Sequence, residues 1–217
     1  MTTHFPLPAL LGSAALVALA GCAGTPPARY TDLPVSPWLR PDSAATRPYS
    51  YADNARREHY HAIIIEPVAI YRGADHQFGD LPERDKHELA AAMQQQFGQA
   101  LSTRFRLADS ARPGTLRLRL TLTGASTNTA VVSTFTRFDL VGLPYNTVQS
   151  LRGREGIFMG SVSYAVAVYD AMDDRLLKAY QARQYPNAMN VSATIGALSA
   201  ARTGLEKGAE ELLTQLQ

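Results

Sequence analysis

From Tyr60 to Tyr71 the chain reads YHAIIIEPVAIY, rich in β-branched residues and apolar on both faces until Pro67. A run of that length predicts an interior strand. After a loop of Gly, Asp and Pro the period changes. In PERDKHELAAAMQQQFGQAL, residues 82–101, Leu89, Met93, Phe97 and Leu101 recur every four positions. This predicts a helix of about five turns with one apolar stripe, with Pro82 near its first turn and Glu83 and Asp85 at the positive end of its dipole. Arg104 to Ala108 reads as a short strand, ended by the Arg112-Pro113-Gly114 turn. TLRLRLTLT, Thr115 to Thr123, alternates strictly, with Leu116, Leu118, Leu120 and Leu122 on one face and Arg117, Arg119, Thr121 and Thr123 on the other. Such alternation predicts a sheet with a single covered face. Ser161 to Tyr185 reads as a hairpin around the Asp-rich turn Asp170 to Asp174. The chain closes with a helix over 199–216, whose stripe is Ala201, Leu205, Ala209, Leu212 and Leu216. Together these elements predict an α+β fold, a mostly antiparallel sheet with two main helices packed on one face.

One segment follows neither period. Between Asn128 and Gly156 the chain mixes Phe135, Phe138, Leu140, Leu143, Tyr145 and other apolar residues with few charges. A solvated loop does not normally hold so much apolar surface. The simpler reading is an irregular hairpin or short helix folded onto the core; the sharper one makes those five residues a contact surface for a partner protein or lipid.

The N-terminus changes the picture most. Leu7 to Ala20 carries no charge and is too short to span a bilayer as a helix, so it reads as a secretory signal closed by small residues. Leu19-Ala20-Gly21-Cys22 looks like the lipobox of bacterial lipoproteins, in which cleavage precedes the cysteine, its sulfur receives a diacylglycerol and the new amine a third acyl chain. Several chains make a stable anchor where one is marginal. Signal peptides normally open with Lys or Arg, whereas Met1 to Leu11 offers the terminal amine and His4; either the start lies upstream of Met1 or the amine suffices. Cys22 is the only cysteine, so with its thiol acylated, intramolecular disulfides and cysteine-based metal sites are excluded. Six of the 13 prolines fall between Cys22 and Glu58, which suits a semi-rigid tether of roughly 100 Å when extended. That stretch also holds Trp38, Leu39, Tyr49 and Tyr51, so part of it is expected to dock on the domain. The expected organisation is a signal peptide over 1–21, a lipidated Cys22 and Pro-rich tether over 22–58, and a single domain over 59–217.

The net charge is +2, and 18 of the 21 basic residues are arginines scattered without a run. No nucleic-acid footprint or polybasic membrane patch follows. Catalytic signals are weak. HELAA, His87 to Ala91, begins like a zinc-protease motif but has Ala91 where the second histidine belongs. His59 and His61 share a strand face near Glu66 without a third ligand at a supporting spacing. Asp170, Asp173 and Asp174 suit a hairpin tip and lack the pattern of a calcium loop. There is no GxSxG elbow, Walker loop or dinucleotide fingerprint, and no cofactor is expected. Asn190-Val191-Ser192 matches a glycosylation sequon that a bacterial cell normally ignores. A hydrolase would need a site assembled from distant residues such as His59, His61 and Asp75.

The chain resembles the bacterial lipoproteins grouped as domain-of-unknown-function family 3313. The matching pieces are SPWLRPD, HYHAIIIEPVAIY, the helix leading to FRLADSARPGTLRLRLTLTGAS, GSVSYAVAVYDAMDDRLLKAYQARQ and the last amphipathic helix. The resemblance implies an envelope lipoprotein and supplies no catalytic residues. Ala23 in place of Asp after the cysteine points, under enterobacteria-like sorting, to the outer membrane. The expectation is therefore a non-enzymatic, periplasm-facing module, held to the membrane by its lipid, that binds or assembles an envelope protein. A lipid-handling or transport accessory is the alternative.

Overall fold

A computed structural model describes residues 29–44, 46–53, 58–127, 160–186 and 198–217. The elements in chain order are β1 (Arg40–Pro41), β2 (Tyr49–Ala52), β3 (Ala62–Ile65), β4 (Ala69–Ile70), α1 (Glu83–Ser102), β5 (Arg106–Leu107), β6 (Thr115–Ser126), β7 (Ser161–Asp170), β8 (Leu176–Gln184) and α2 (Ser199–Gln215). Eight strands form one sheet in the order β1-β2-β8-β7-β6-β3-β5, with β4 also paired to β6. The β6–β7, β7–β8, β2–β8 and β1–β2 pairs are antiparallel; β3 runs parallel to β5 and β6, and β4 to β6. The fold is α+β, with a mostly antiparallel sheet.

The four leucines of β6 face the helices and are buried with Val162, Tyr164, Val166 and Val168 of β7. Leu89, Met93, Phe97 and Leu101 of α1 complete that core, together with Leu205, Ala209 and Leu212 of α2. Each fully buried Leu, Val, Met or Phe side chain of this core contributes about 1.5–3 kcal/mol relative to exposure. The last helix lies flush on the sheet because two positions lack side chains. A Cβ at Gly208 would come within 2.0 Å of the Tyr164 hydroxyl, and one at Gly204 within 2.9 Å of Val162 Cγ1.

The stretch from Tyr60 to Tyr71 is two short strands rather than one. Ile65 pairs with Leu118 and Ala69 with Thr121, so four steps on this side meet three on the other and one residue bulges out. Pro67 has no N–H for the ladder, and the Val68 N–H donates at 3.0 Å to Gln94 Oε1 of α1 instead. Of these two strands, β3 is paired on both sides, with β5 and β6, and β4 pairs with β6.

The second face of the sheet is also partly covered, which the alternation in β6 did not predict. Residues 30–39 lie across it, burying Tyr30, Leu33, Val35 and Leu39 against Tyr71, Ala165, Ala167 and Ala179. The alternating small residues Ser163, Ala165 and Ala167 leave a trough along β7 into which this segment settles. Its cover comes from a proline-containing stretch of turns, closed by Ser36 N–H to Leu33 O at 2.9 Å and Trp38 N–H to Val35 O at 3.0 Å. Further along, β1 and β2 extend the sheet beyond β8. With the chain docked from Tyr30 onward, eight residues lead back to Cys22. That length reaches at most about 28 Å, far less than a tether running to Glu58 would.

Candidate functional site

A clamp fixes the start of the docked segment. The Tyr71 hydroxyl donates to Asp75 Oδ1 at 2.6 Å, and the Thr31 N–H donates to Asp75 Oδ2 at 3.0 Å. The Asp32 N–H donates to the Tyr71 oxygen at 3.1 Å, and the Tyr30 and Tyr71 rings meet edge to face at 5.4 Å. Burial, and then donation to Asp75, push the Tyr71 phenol up to about 12. Burial works to raise the Asp75 carboxyl, but the bonds it accepts outweigh that and hold it below its ordinary value of 3.8. Tyr71 is thus a neutral donor at physiological pH, a brace rather than a nucleophile.

Beside this clamp, a cleft of about 580 Å³ separates the docked segment from the β4 edge. Leu33, Pro34 and Val35 form one wall and Pro67, Ala69, Ile70 and Tyr71 the other, over a floor of Thr121, Ala165 and Ala167. The space exists because the floor residues are small. At its rim Glu66 accepts from Arg119 Nε at 2.7 Å and lies 3.7 Å from Arg117 Nε. The Arg119 guanidinium stands 5.1 Å from the Tyr169 ring centroid, a cation–π distance. An apolar trough with a charged and aromatic rim suits an amphipathic ligand or peptide segment.

Cys22, Phe135, Phe138, Leu140, Leu143 and Tyr145 lie outside the described residues. His59, His61 and Asp75 do not converge. His61 sits against Gly114 at the start of β6, whereas Asp75 is two residues from Gln77, which bridges to Gly124 near the end of that strand. Ten residues of strand separate the two glycines, roughly 33 Å, and a hydrolase built on those three side chains is ruled out. His87 is exposed on α1. Asp170 accepts from the Tyr60 hydroxyl at 2.7 Å and the Met172 N–H at 2.8 Å, Asp173 accepts from the Arg175 N–H at 3.0 Å, and Asp174 pairs with Arg117. Those carboxylates tie the hairpin tip to its neighbours. Among the described residues no three His, Cys, Asp or Glu side chains gather closely enough for a metal, and no helix is long and apolar enough to cross a membrane.

In the sequence Glu66 stands near the histidines, whereas in the fold its partners are Arg117 and Arg119. The signal was available in TLRLRL, since a parallel neighbour brings the arginine face of β6 alongside the residue that follows Ile65. The wall at Leu33 and Val35 left no such signal, because their spacing follows no secondary-structure period.

None of the curated proteins matches the chain significantly. Among solved structures it is similar to a dodecamer of a single-residue variant of PelC from Paraburkholderia phytofirmans, at 10% identity and a TM-score of 0.41, over 76% of this chain and 94% of that one. It is also similar to a Xanthomonas campestris protein of the DUF330 family, at 12% identity and a TM-score of 0.36, over 75% and 87% of the respective chains. The sequence profile of DUF3313, described as a protein of unknown function, matches residues 29–212. That span takes in the docked segment, every described strand, α1 and all but the last three residues of α2, and the chain belongs to the DUF3313 family.

Proposed function

We propose that this protein is a lipid-anchored lipoprotein of the bacterial cell envelope, a periplasm-facing binding or assembly module held to the outer membrane through acylated Cys22. The observation that carries the reading is the sequence Leu19-Ala20-Gly21-Cys22 after an uncharged apolar run, followed within eight residues by a docked chain. The module works close to its membrane, because the leash between lipid and domain is short. Its contact residues are Phe135, Phe138, Leu140, Leu143 and Tyr145. The chain leaves the sheet for that segment at Ser126 and returns at Ser161, and these two residues pair with each other. Tyr71, which clamps the start of the docked segment, is bonded to Leu122 near that same end of β6. The leash and the contact segment therefore depart from one end of the sheet.

Cell fractionation of Cys22→Ser tests the anchor. The variant is expected in the soluble fraction, and a variant that stays with membranes after a salt wash would show that acylation is not what holds the protein. The apolar cleft favours a second reading, a lipid-handling or transport accessory. Photo-crosslinking in cells from position 138 or 143 separates the two, with a discrete protein adduct for an assembly module and lipid adducts for a lipid handler.

A further inference from the structure

We infer that the sheet face carrying residues 30–39 lies against the bilayer, with Trp38 as its interfacial contact, an orientation that rests on the anchoring of Cys22 proposed above. The segment has five large side chains, of which Tyr30, Leu33, Val35 and Leu39 are each at most 5% exposed. Trp38 is 55% exposed. It is nonetheless held in place: its backbone N–H donates to Val35 O at 3.0 Å, and its ring leans on Tyr51 at 5.8 Å. It borders a shallow depression of about 310 Å³ with Pro34, Tyr169, Asp174, Arg175 and Leu176, where the two charges lie side by side in sequence. The Asp170–Arg175 turn at that depression also carries Met172, 57% exposed. Among the described residues the one other large apolar side chain so exposed is Leu107, on β5 at the opposite edge of the sheet. A tryptophan, with an apolar ring and one N–H, is suited to the boundary between acyl chains and headgroups.

The leash is long enough to bring this face to the membrane. Tyr30 packs on Tyr71, whose N–H donates to Leu122 O, and Leu122 pairs with Tyr164. Trp38 lies at the level of Tyr169, five residues along β7, or roughly 17 Å. The eight residues from Cys22 reach about 28 Å. The lipid can therefore enter the bilayer beneath either end of the docked segment without pulling it off the sheet. Presenting the helices instead would require the leash to round the sheet edge and a helical layer about 10 Å thick. The cleft opens on the same face, toward the membrane surface.

Trp38 is the only tryptophan, so the native protein reports its own orientation. The acylated full-length mature chain is reconstituted into phosphatidylcholine–phosphatidylglycerol vesicles, and its emission is compared with that of soluble Cys22→Ser in buffer. A blue shift is expected, together with a loss of emission that grows as dibrominated phosphatidylcholine replaces the ordinary lipid. Emission that neither shifts nor is quenched, from protein that co-sediments with the vesicles, overturns the orientation and leaves the anchor standing. Protein that does not co-sediment removes the anchor and the orientation with it.

Discussion

The two faces of the sheet are covered by different means. On one, α1 and α2 set regular stripes against the leucines of β6 and the valines of β7, and the result is a continuous core. On the other, ten residues of turns lie in a trough of alanines, fixed by four apolar side chains and a clamp of hydrogen bonds through Tyr71 and Asp75. The first face is stabilised by area, which is distributed and hard to remove. The second depends on a few contacts, so it opens more easily and its loss need not unfold the protein.

The strongest challenge to that contrast is a cavity on the helix side. Phe97 is fully buried and meets Tyr164 edge to face at 5.7 Å, so Phe97→Ala should cost about 3–5 kcal/mol and lower the melting temperature of the whole domain. Leu39→Ala, on the second face, should chiefly speed protease cleavage within residues 29–39 while the helices stay folded. If both variants unfold everything in one transition, the faces are a single cooperative unit. A smaller effect is expected from Gly208→Val. The added side chain would collide with the Tyr164 hydroxyl and lift α2 from β7, costing about 1–3 kcal/mol as other overpacked sites do. Denaturant titration measures this, and an unchanged midpoint would mean that α2 slides without loss.

The same contrast explains what could be read from the sequence. The helices, β6 and the β7–β8 hairpin were legible because burial on a regular neighbour imposes period 3.6 or period 2 on the chain. The cover at Leu33, Val35 and Leu39 was not, since its partners are alanines that any strand could carry, and its apolar positions follow the accidents of turns. Trp38 illustrates the limit. Its size suggested a docked residue, yet its four large neighbours fill the trough and it stays outside. The bulge at Glu66–Pro67 was visible as a proline, but the Arg119 partner that occupies Glu66 depends on the parallel register of β3 on β6. Of the candidate site, then, the charged rim was half legible and the wall was not.

The mildest prediction is also the most selective. Tyr71→Phe keeps the ring against Tyr30 and removes one hydroxyl, so about 1 kcal/mol is expected, felt by the docked segment rather than the core. The pH dependence has a definite sign at both ends. Asp75 has a folded value below 3.8, so its contribution is complete above the unfolded value and is lost as pH falls through the lower folded one. Tyr71 is raised from 10.0 to about 12; its contribution is complete below pH 10.0 and is lost between there and about 12. Limited proteolysis of the wild type should therefore show residues 29–39 protected across the neutral range and released in acid and in strong alkali, whereas Tyr71→Phe should lose the alkaline step attributable to this phenol and keep a weakened acid one. Equal release of wild type and variant at every pH would mean that the apolar contacts alone hold the segment, and the two faces would then differ in extent but not in kind.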